Sequence, residues 1–294
     1  MATLAGRHVV IFGCGYVGAA VARWALTAGA RVTALTRNAA SAIGLREAGI
    51  ECVVADLAGD AWHDEVAPGP EFAVNCVSSG GGGAAAYQRS YVQGMESIAA
   101  WAGARGRIGT FLYTSSTSVY PQGGGGDVDE ATPVGAASER AQVLIDAEAC
   151  IRASAPAWGR WFILRLAGIY GPGRHHLLEQ VRSGEVAGTG EPHLNVIHRD
   201  DIVTGIAACL MAPPAIANEV FNVADDSRAR KAEIAAWLAA RLGLPEPRFS
   251  GVPAGNRRTL TPDRVIGNAK LKARLGWQPR YPTFREGYAN LLSH

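Results

Sequence analysis

The segment Val9-Val10-Ile11-Phe12-Gly13-Cys14-Gly15-Tyr16-Val17-Gly18 constrains the fold more than any other part of the chain. Three glycines in the spacing G-x-G-x-x-G stand between an apolar run and a helical pattern, with apolar residues at Val17, Val21, Trp24 and Ala25. The chain must therefore turn sharply from strand into helix. In such a turn the first glycine supplies the bend and the second leaves room for a pyrophosphate beside the backbone. The third lets the helix pack closely on the strand. The helix start presents free amides and the positive end of its dipole to phosphate groups. A lone glycine motif means little, but this one has the strand before it and the helix after it. Gly13, Cys14, Gly15, Tyr16, Val17 and Gly18 are thus the expected dinucleotide-binding turn.

The rest of the first half repeats the strand–helix alternation. Strands are expected at His8–Phe12, Arg31–Thr36, Glu51–Ala55, Phe72–Val77, Ile108–Thr114 and Trp161–Leu166. Helices are expected at Tyr16–Ala28, Ala39–Ala48, Ala85–Ala104 and Glu139–Ser154. Six strands with intervening helices predict an α/β fold, a Rossmann-type doubly wound parallel sheet with a smaller C-terminal substrate lobe. Residues 1–165 and 196–224 are assigned to the dinucleotide-binding domain, and residues 166–195 and 225–294 to the proline-rich substrate lobe. Two four-glycine runs, Gly80–Gly83 and Gly123–Gly126, read either as loops admitting a ligand close to the backbone or as flexible surface loops.

The end of the second strand bears on which dinucleotide is taken. An NAD site places Asp or Glu about 20 residues beyond the glycines, against the ribose 2′-hydroxyl. Here the chain reads Leu35-Thr36-Arg37-Asn38, with no carboxylate. Arg37, flanked by Thr36 and Asn38, suits a 2′-phosphate, so NADP is expected, with NAD as the other possibility. Arg37 as a solvated residue at a helix start is the plainer reading. Asp56, ending the third strand, is placed at the adenine, and Leu57, with Val77 at the end of the fourth strand and Ser78 after it, is counted among the cofactor-binding residues.

The formal net charge of +2, with 18% charged and 48% hydrophobic residues, argues against a nucleic-acid partner, a polybasic membrane binder and a disordered chain. Five scattered cysteines with no C-x-x-C pair fit a reducing, cytoplasmic setting. Arg7 with no long apolar stretch before it gives no expectation of a secretory signal. The apolar stretch Val9–Leu26 is broken by glycines and Arg23, so no membrane span is expected.

Further motifs follow in order. They are Val54-Ala55-Asp56-Leu57, Phe111-Leu112-Tyr113-Thr114-Ser115-Ser116-Thr117-Ser118-Val119-Tyr120, and Leu164-Arg165-Leu166-Ala167-Gly168-Ile169-Tyr170-Gly171-Pro172-Gly173-Arg174. Then come Ile197-His198-Arg199-Asp200-Asp201-Ile202, Val220-Phe221-Asn222-Val223 and Leu275-Gly276-Trp277-Gln278-Pro279. In this order the chain resembles the extended short-chain dehydrogenase/reductases, the NAD-dependent epimerase/dehydratase family, over nearly its whole length. Its glycine spacing is closer to atypical members. The resemblance implies a catalytic Tyr with a Lys four residues later, and a Ser or Thr on the fifth strand. The three lysines, Lys231, Lys270 and Lys272, never follow a Tyr by four. Aligning Glu148 with the family's usual glutamate puts Arg140 at the Tyr position and Leu144 at the Lys position. A two-residue slip gives Ser138 and Gln142.

Ser116, four residues before Tyr120, matches the family's catalytic hydroxyl, although turn chemistry would also place a serine there. Tyr91, where the family usually has Asn, is a substitute acid or a packing residue, and Tyr120 is another possible donor. Arg165, Arg174 and His198 are expected to bind substrate, or else to serve internal pairing. No metal site is expected, since His175-His176 alone does not make one. Two functions remain open. One is an oxidoreductase or epimerase acting on a small polar carbonyl or sugar-nucleotide-type substrate. The other is a non-catalytic dinucleotide-binding sensor or regulator. A monomer or a homodimer fits either.

Overall fold

Every residue of the first strand, β1 (His8–Phe12), is buried, as a continuous apolar run requires of a strand covered on both faces. The computed structural model describes residues 4–79, 81, 83–252 and 262–293. In it β1 lies inside a seven-stranded sheet. On one side stand β2 (Arg31–Thr36) and then β3 (Glu51–Val54). On the other side stand β4 (Phe72–Asn75), β5 (Ile108–Ser116), strand Trp158–Leu166 and strand Glu219–Val223. β1 is parallel to β2, with Phe12 opposite Leu35, and parallel to β4, with Phe12 opposite Asn75. The chain order reverses between β1 and β4, so the crevice at their carboxyl ends is where this architecture takes a ligand. The Rossmann-type sheet expected from the sequence is present.

On one face of the sheet, Phe12 meets Trp62 and Trp101 edge-on at 5.2 and 6.0 Å, while Phe111 stacks on Trp158 at 4.4 Å. Each buried indole N–H finds a carbonyl: Trp62 that of Leu57, Trp101 that of His63, Trp158 that of Ile151. These rings remove large apolar areas from water without leaving a donor unmatched.

Several element ends differ from the sequence expectation for local reasons. β4 stops at Asn75, where the expected strand runs to Val77, because the Asn75 Oδ1 accepts the Val77 amide at 3.0 Å and turns the chain. Strand Trp158–Leu166 starts three residues early. There the Arg160 guanidinium donates to the carbonyls of Leu210, Ala212, Pro213 and Ile216, tying that end in place. The single helix expected over Ala85–Ala104 is three pieces: an α-helix Gly83–Gln88, a π-turn Arg89–Gln93, and an α-helix Gly94–Arg105.

The chain divides into two compact units. The first comprises Met1–Val119, Val134–Arg165 and Val203–Phe221, and the second Tyr120–Pro133, Leu166–Ile202 and Asn222–His294. Among the described residues the second contains three short parallel strand pairs and a core that includes Tyr170, Val196, Ile234, Phe284 and Tyr288. Its final helix, Phe284–Leu292, starts with a capping box in which Thr283 and Glu286 exchange hydrogen bonds. In the second glycine run, the Gly125 amide donates to the Asp263 carbonyl. Gly80 and Gly82 of the first run lie outside the described residues. Among the described residues no helix is long and apolar enough to cross a membrane.

Candidate functional site

The three glycines of the turn do three different jobs. Gly13 has φ +81°, and a Cβ added there would lie 2.5 Å from the backbone of Val77. At Gly18 an added Cβ would lie 2.3 Å from the Gly13 carbonyl oxygen, so that position fixes how closely helix α1 (Tyr16–Thr27) approaches the turn. Gly15, the N-cap of α1, is different: a Cβ there would meet nothing within 4 Å. The amides of Gly13 and Cys14 are held by the Leu35 carbonyl at 3.0 and 3.1 Å, which sets the loop rigidly. Burial pushes the Cys14 thiol up to about 12, so it is packing here, not a nucleophile. Open space before a rigid glycine N-cap fits a dinucleotide's phosphates. Gly15→Val should therefore leave the melting temperature within a degree or two, while weakening dinucleotide binding about a hundredfold, because the branched side chain fills the approach. Gly18→Ala should lower the melting temperature. Circular dichroism melts beside fluorescence titrations of both variants check the contrast.

A cleft of about 320 Å³ opens in front of α1, lined among others by Gly15, Tyr16, Ala19, Arg23, Ser41 and Leu45. Arg23 is not among the residues expected at the cofactor. Its signal was available, since Tyr16, Ala19 and Arg23 stand at i, i+3 and i+7 on one helix face. Arg37 is exposed just past β2, donating weakly to the Ser79 carbonyl at 3.4 Å. Its two neighbours have structural work. The Thr36 hydroxyl accepts the Asn38 amide, and the Asn38 side chain caps the helix Ala39–Glu47 by accepting from Ala40 and Ser41. Asp56 accepts from Arg89 at 2.9 Å and from the Ala58 amide at 3.1 Å. Burial raises its carboxyl, but those two donors outweigh it and hold the group below the usual carboxylate range. Leu57 is buried in the core, and Ser78 is exposed.

At the end of β5 two adjacent serines face opposite ways, as strand geometry dictates. Ser115 is buried and donates to Glu148 at 2.8 Å. Ser116 is half-buried, and its Oγ accepts the Ser118 amide at 3.2 Å. In the same unit the π-turn carries Tyr91, whose ring lies 4.9 Å from that of Tyr87. Burial, followed by the Tyr87 hydroxyl, raises the Tyr91 phenol well above its ordinary range. The Ser79 amide and Arg140 pull the other way. In the second unit Tyr120 is buried and donates to Asn222 Oδ1 at 2.9 Å.

The three expected substrate residues are placed as follows. Arg165, 4% exposed, makes a two-point pair with Glu148 at 3.0 and 2.7 Å. Arg174 is exposed in a turn closed by reciprocal backbone bonds with Gly171. His198 is fully buried, between Tyr170 at 5.3 Å and Tyr281 at 4.2 Å, and burial lowers its imidazole to about 4.

Comparison with known proteins agrees with the sheet and the turn. The family model described as the NAD dependent epimerase/dehydratase family matches residues 9–224. The chain is 30% identical over 177 residues to "Protein YeeZ" of Escherichia coli K12, covering 60% of this chain and 60% of that protein's length. It is similar to the solved structure of a functionally unknown conserved protein from Silicibacter pomeroyi, with TM-score 0.75, 28% identity and 98% of each chain covered. A dTDP-glucose 4,6-dehydratase from Streptomyces venezuelae, solved with NAD and TYD bound, shares the fold, with TM-score 0.82, 20% identity and 97% and 96% covered.

Proposed function

The chain belongs to the NAD-dependent epimerase/dehydratase family, and on that premise we propose that it is a nicotinamide-dinucleotide oxidoreductase that prefers NADP and reduces a small polar carbonyl compound. The observation that carries the reading is the open space at Gly15, before the start of α1. The open turn at Gly15 receives the pyrophosphate, with Gly13 and Gly18 shaping the turn around it. Arg37, with no carboxylate beside it, takes the 2′-phosphate, because a guanidinium fork matches phosphate oxygens. When bound, the nicotinamide supplies hydride.

The protein's own share is the carbonyl oxygen. The Ser116 hydroxyl donates to it and favours the developing negative charge. Tyr91 gives it a proton. A phenol kept protonated by burial donates to an alkoxide but does not remove a proton from an alcohol near neutral pH. Carbonyl reduction is therefore the favoured direction, and alcohol oxidation rises toward high pH. Tyr120, buried on Asn222, is the weaker donor of the two tyrosines. Sugar nucleotides, in line with the dTDP-glucose 4,6-dehydratase that shares the fold, belong in the substrate screen alongside simple aldehydes and ketones.

Fluorescence titration should give a lower dissociation constant for NADPH than for NADH, and Arg37→Ala should weaken NADPH about tenfold and leave NADH unchanged. Tighter binding of NADH would remove the NADP preference. A screen of carbonyl compounds with NADPH, repeated with Ser116→Ala, tests the chemistry, with a fall in kcat/KM expected. A second reading, a non-catalytic sensor, is favoured by the missing Tyr-x-x-x-Lys pattern. Tight dinucleotide binding with no turnover across the screen would select it.

A further inference from the structure

The π-turn Arg89–Gln93 interrupts a helix that the sequence would continue, and such turns concentrate at functional sites. Here it brings Tyr91 onto Tyr87, with ring planes 40° apart. Beside burial, the neighbouring Tyr87 phenol holds the Tyr91 hydroxyl in its protonated form, and the Ser79 backbone opposes it. Over the Tyr87 ring, 5.1 Å from its centroid, lies the guanidinium carbon of Arg140.

Arg140 is in a place where local physics does not favour it. It is the second residue of the helix Glu139–Ala153, whose amino end already carries partial positive charge. Among the described residues no carboxylate lies within ion-pairing distance of it. Arg140 is solvent-exposed, so water offsets most of that cost. What Arg140 does have is the Tyr87 ring face and an electrostatic pull on Tyr91 toward the ionised form.

We propose that Tyr91, Tyr87 and Arg140 form a proton-delivery unit, with Tyr87 and Arg140 as positioning residues behind Tyr91. The proposal rests on Tyr91 being the acid of the carbonyl reduction inferred above. As hydride from the reduced dinucleotide makes the substrate carbonyl an alkoxide, the Tyr91 O–H bond breaks and its proton forms the new alcohol O–H. The Tyr87 O–H then breaks and reprotonates Tyr91. Water returns a proton to Tyr87, so the protein ends unchanged and one solvent proton has been consumed. Arg140, seated over Tyr87, stabilises the phenolate while the charge is on either ring.

The test introduces 3,5-difluorotyrosine at position 91, which ionises where the fold survives, and follows its ¹⁹F resonance with pH. Arg140→Gln should raise the midpoint by about one pH unit, and Arg140→Lys should restore part of the shift. In the native sequence Arg140→Gln and Tyr87→Phe should each lower kcat about tenfold, with KM unchanged. An unmoved midpoint in an enzyme that turns over carbonyl compounds overturns this inference and leaves the proposed function standing. A raised KM with unchanged kcat in Arg140→Gln also overturns it, making Arg140 a clamp for an anionic substrate group. No turnover by the native enzyme, with dinucleotide bound, overturns the proposed function and the proton delivery together, whatever the midpoint.

Discussion

Replacing Glu148 by alanine should cost about 3–5 kcal/mol of stability, a large share of what a domain has. Glu148 is 2% exposed and sits where three elements meet. From its helix it accepts from Arg152 at 3.3 Å, from Ser115 at the end of β5 at 2.8 Å, and from Arg165 twice. Alanine removes the carboxylate but leaves the Arg165 guanidinium buried without its counter-charge, and that uncompensated charge is the main penalty. Glu148→Gln, which keeps the shape and one acceptor, should cost less. Replacing Glu148 and Arg165 together by methionine should come closer to neutral than either single change, since both desolvated charges go at once. Urea unfolding of the native protein, Glu148→Ala, Glu148→Gln, Glu148→Met, Arg165→Met and the double methionine variant decides it. If the double variant is as unstable as the sum of the singles, packing and not the ion pair holds this junction. The same carboxylate holds the end of β5 beside Ser116 and the helix that carries Arg140, so Glu148→Gln should also lower kcat.

The strand–turn–helix at residues 8–27 was legible because glycine spacing and apolar periodicity describe the same geometry from two directions. The ends of β1 and β2 followed to the residue. The π-turn was not legible. A pattern of 3.6 residues per turn persists over Ala85–Ala104, and one extra residue in the helical ring leaves no mark in composition. Only packing reveals it, here the seat of Gly94 on Leu57, where an added Cβ would lie 3.1 Å from the leucine side chain. Polar residues at element ends were read as ligand groups where many have backbone duties, as the Asn38 cap shows. Short polar side chains suit both tasks, and sequence does not separate them. In the sequence Arg140 stands out only by its aligned position. Its relation to Tyr87 depends on how helix Glu139–Ala153 lies against the π-turn, which is tertiary information.

Unit two should lose stability between about pH 6.5 and 8, and Asp225→Asn should remove most of that loss. Asp225 is buried, with one carboxylate oxygen accepting the Ser227 amide and the other, Oδ2, without a partner. Burial, then the nearby Asp226, Asp201 and Glu286, raises its folded-state value from 3.8 to about 8. A carboxyl raised on folding gives its full stabilisation below the unfolded value and loses it as pH rises toward the folded one. At about 1.4 kcal/mol per unit, that is on the order of 5 kcal/mol between pH 4 and 8. His198 works against this over part of the range. Its lowered value, about 4 against 6.5 unfolded, gives stability that is present above 6.5 and lost as pH falls to 4. The two slopes oppose one another from pH 4 to 6.5, so the net fall of about 2 kcal/mol is confined to the interval from 6.5 to 8. Asparagine keeps the acceptor for Ser227 and carries no proton to lose. Melting temperatures of the native protein should therefore drop by several degrees across that interval, while those of Asp225→Asn stay level and exceed the native values at pH 8. Parallel curves for the two proteins would show that Asp225 is ionised in the folded unit and matched by a cation, and that the alkaline loss arises elsewhere.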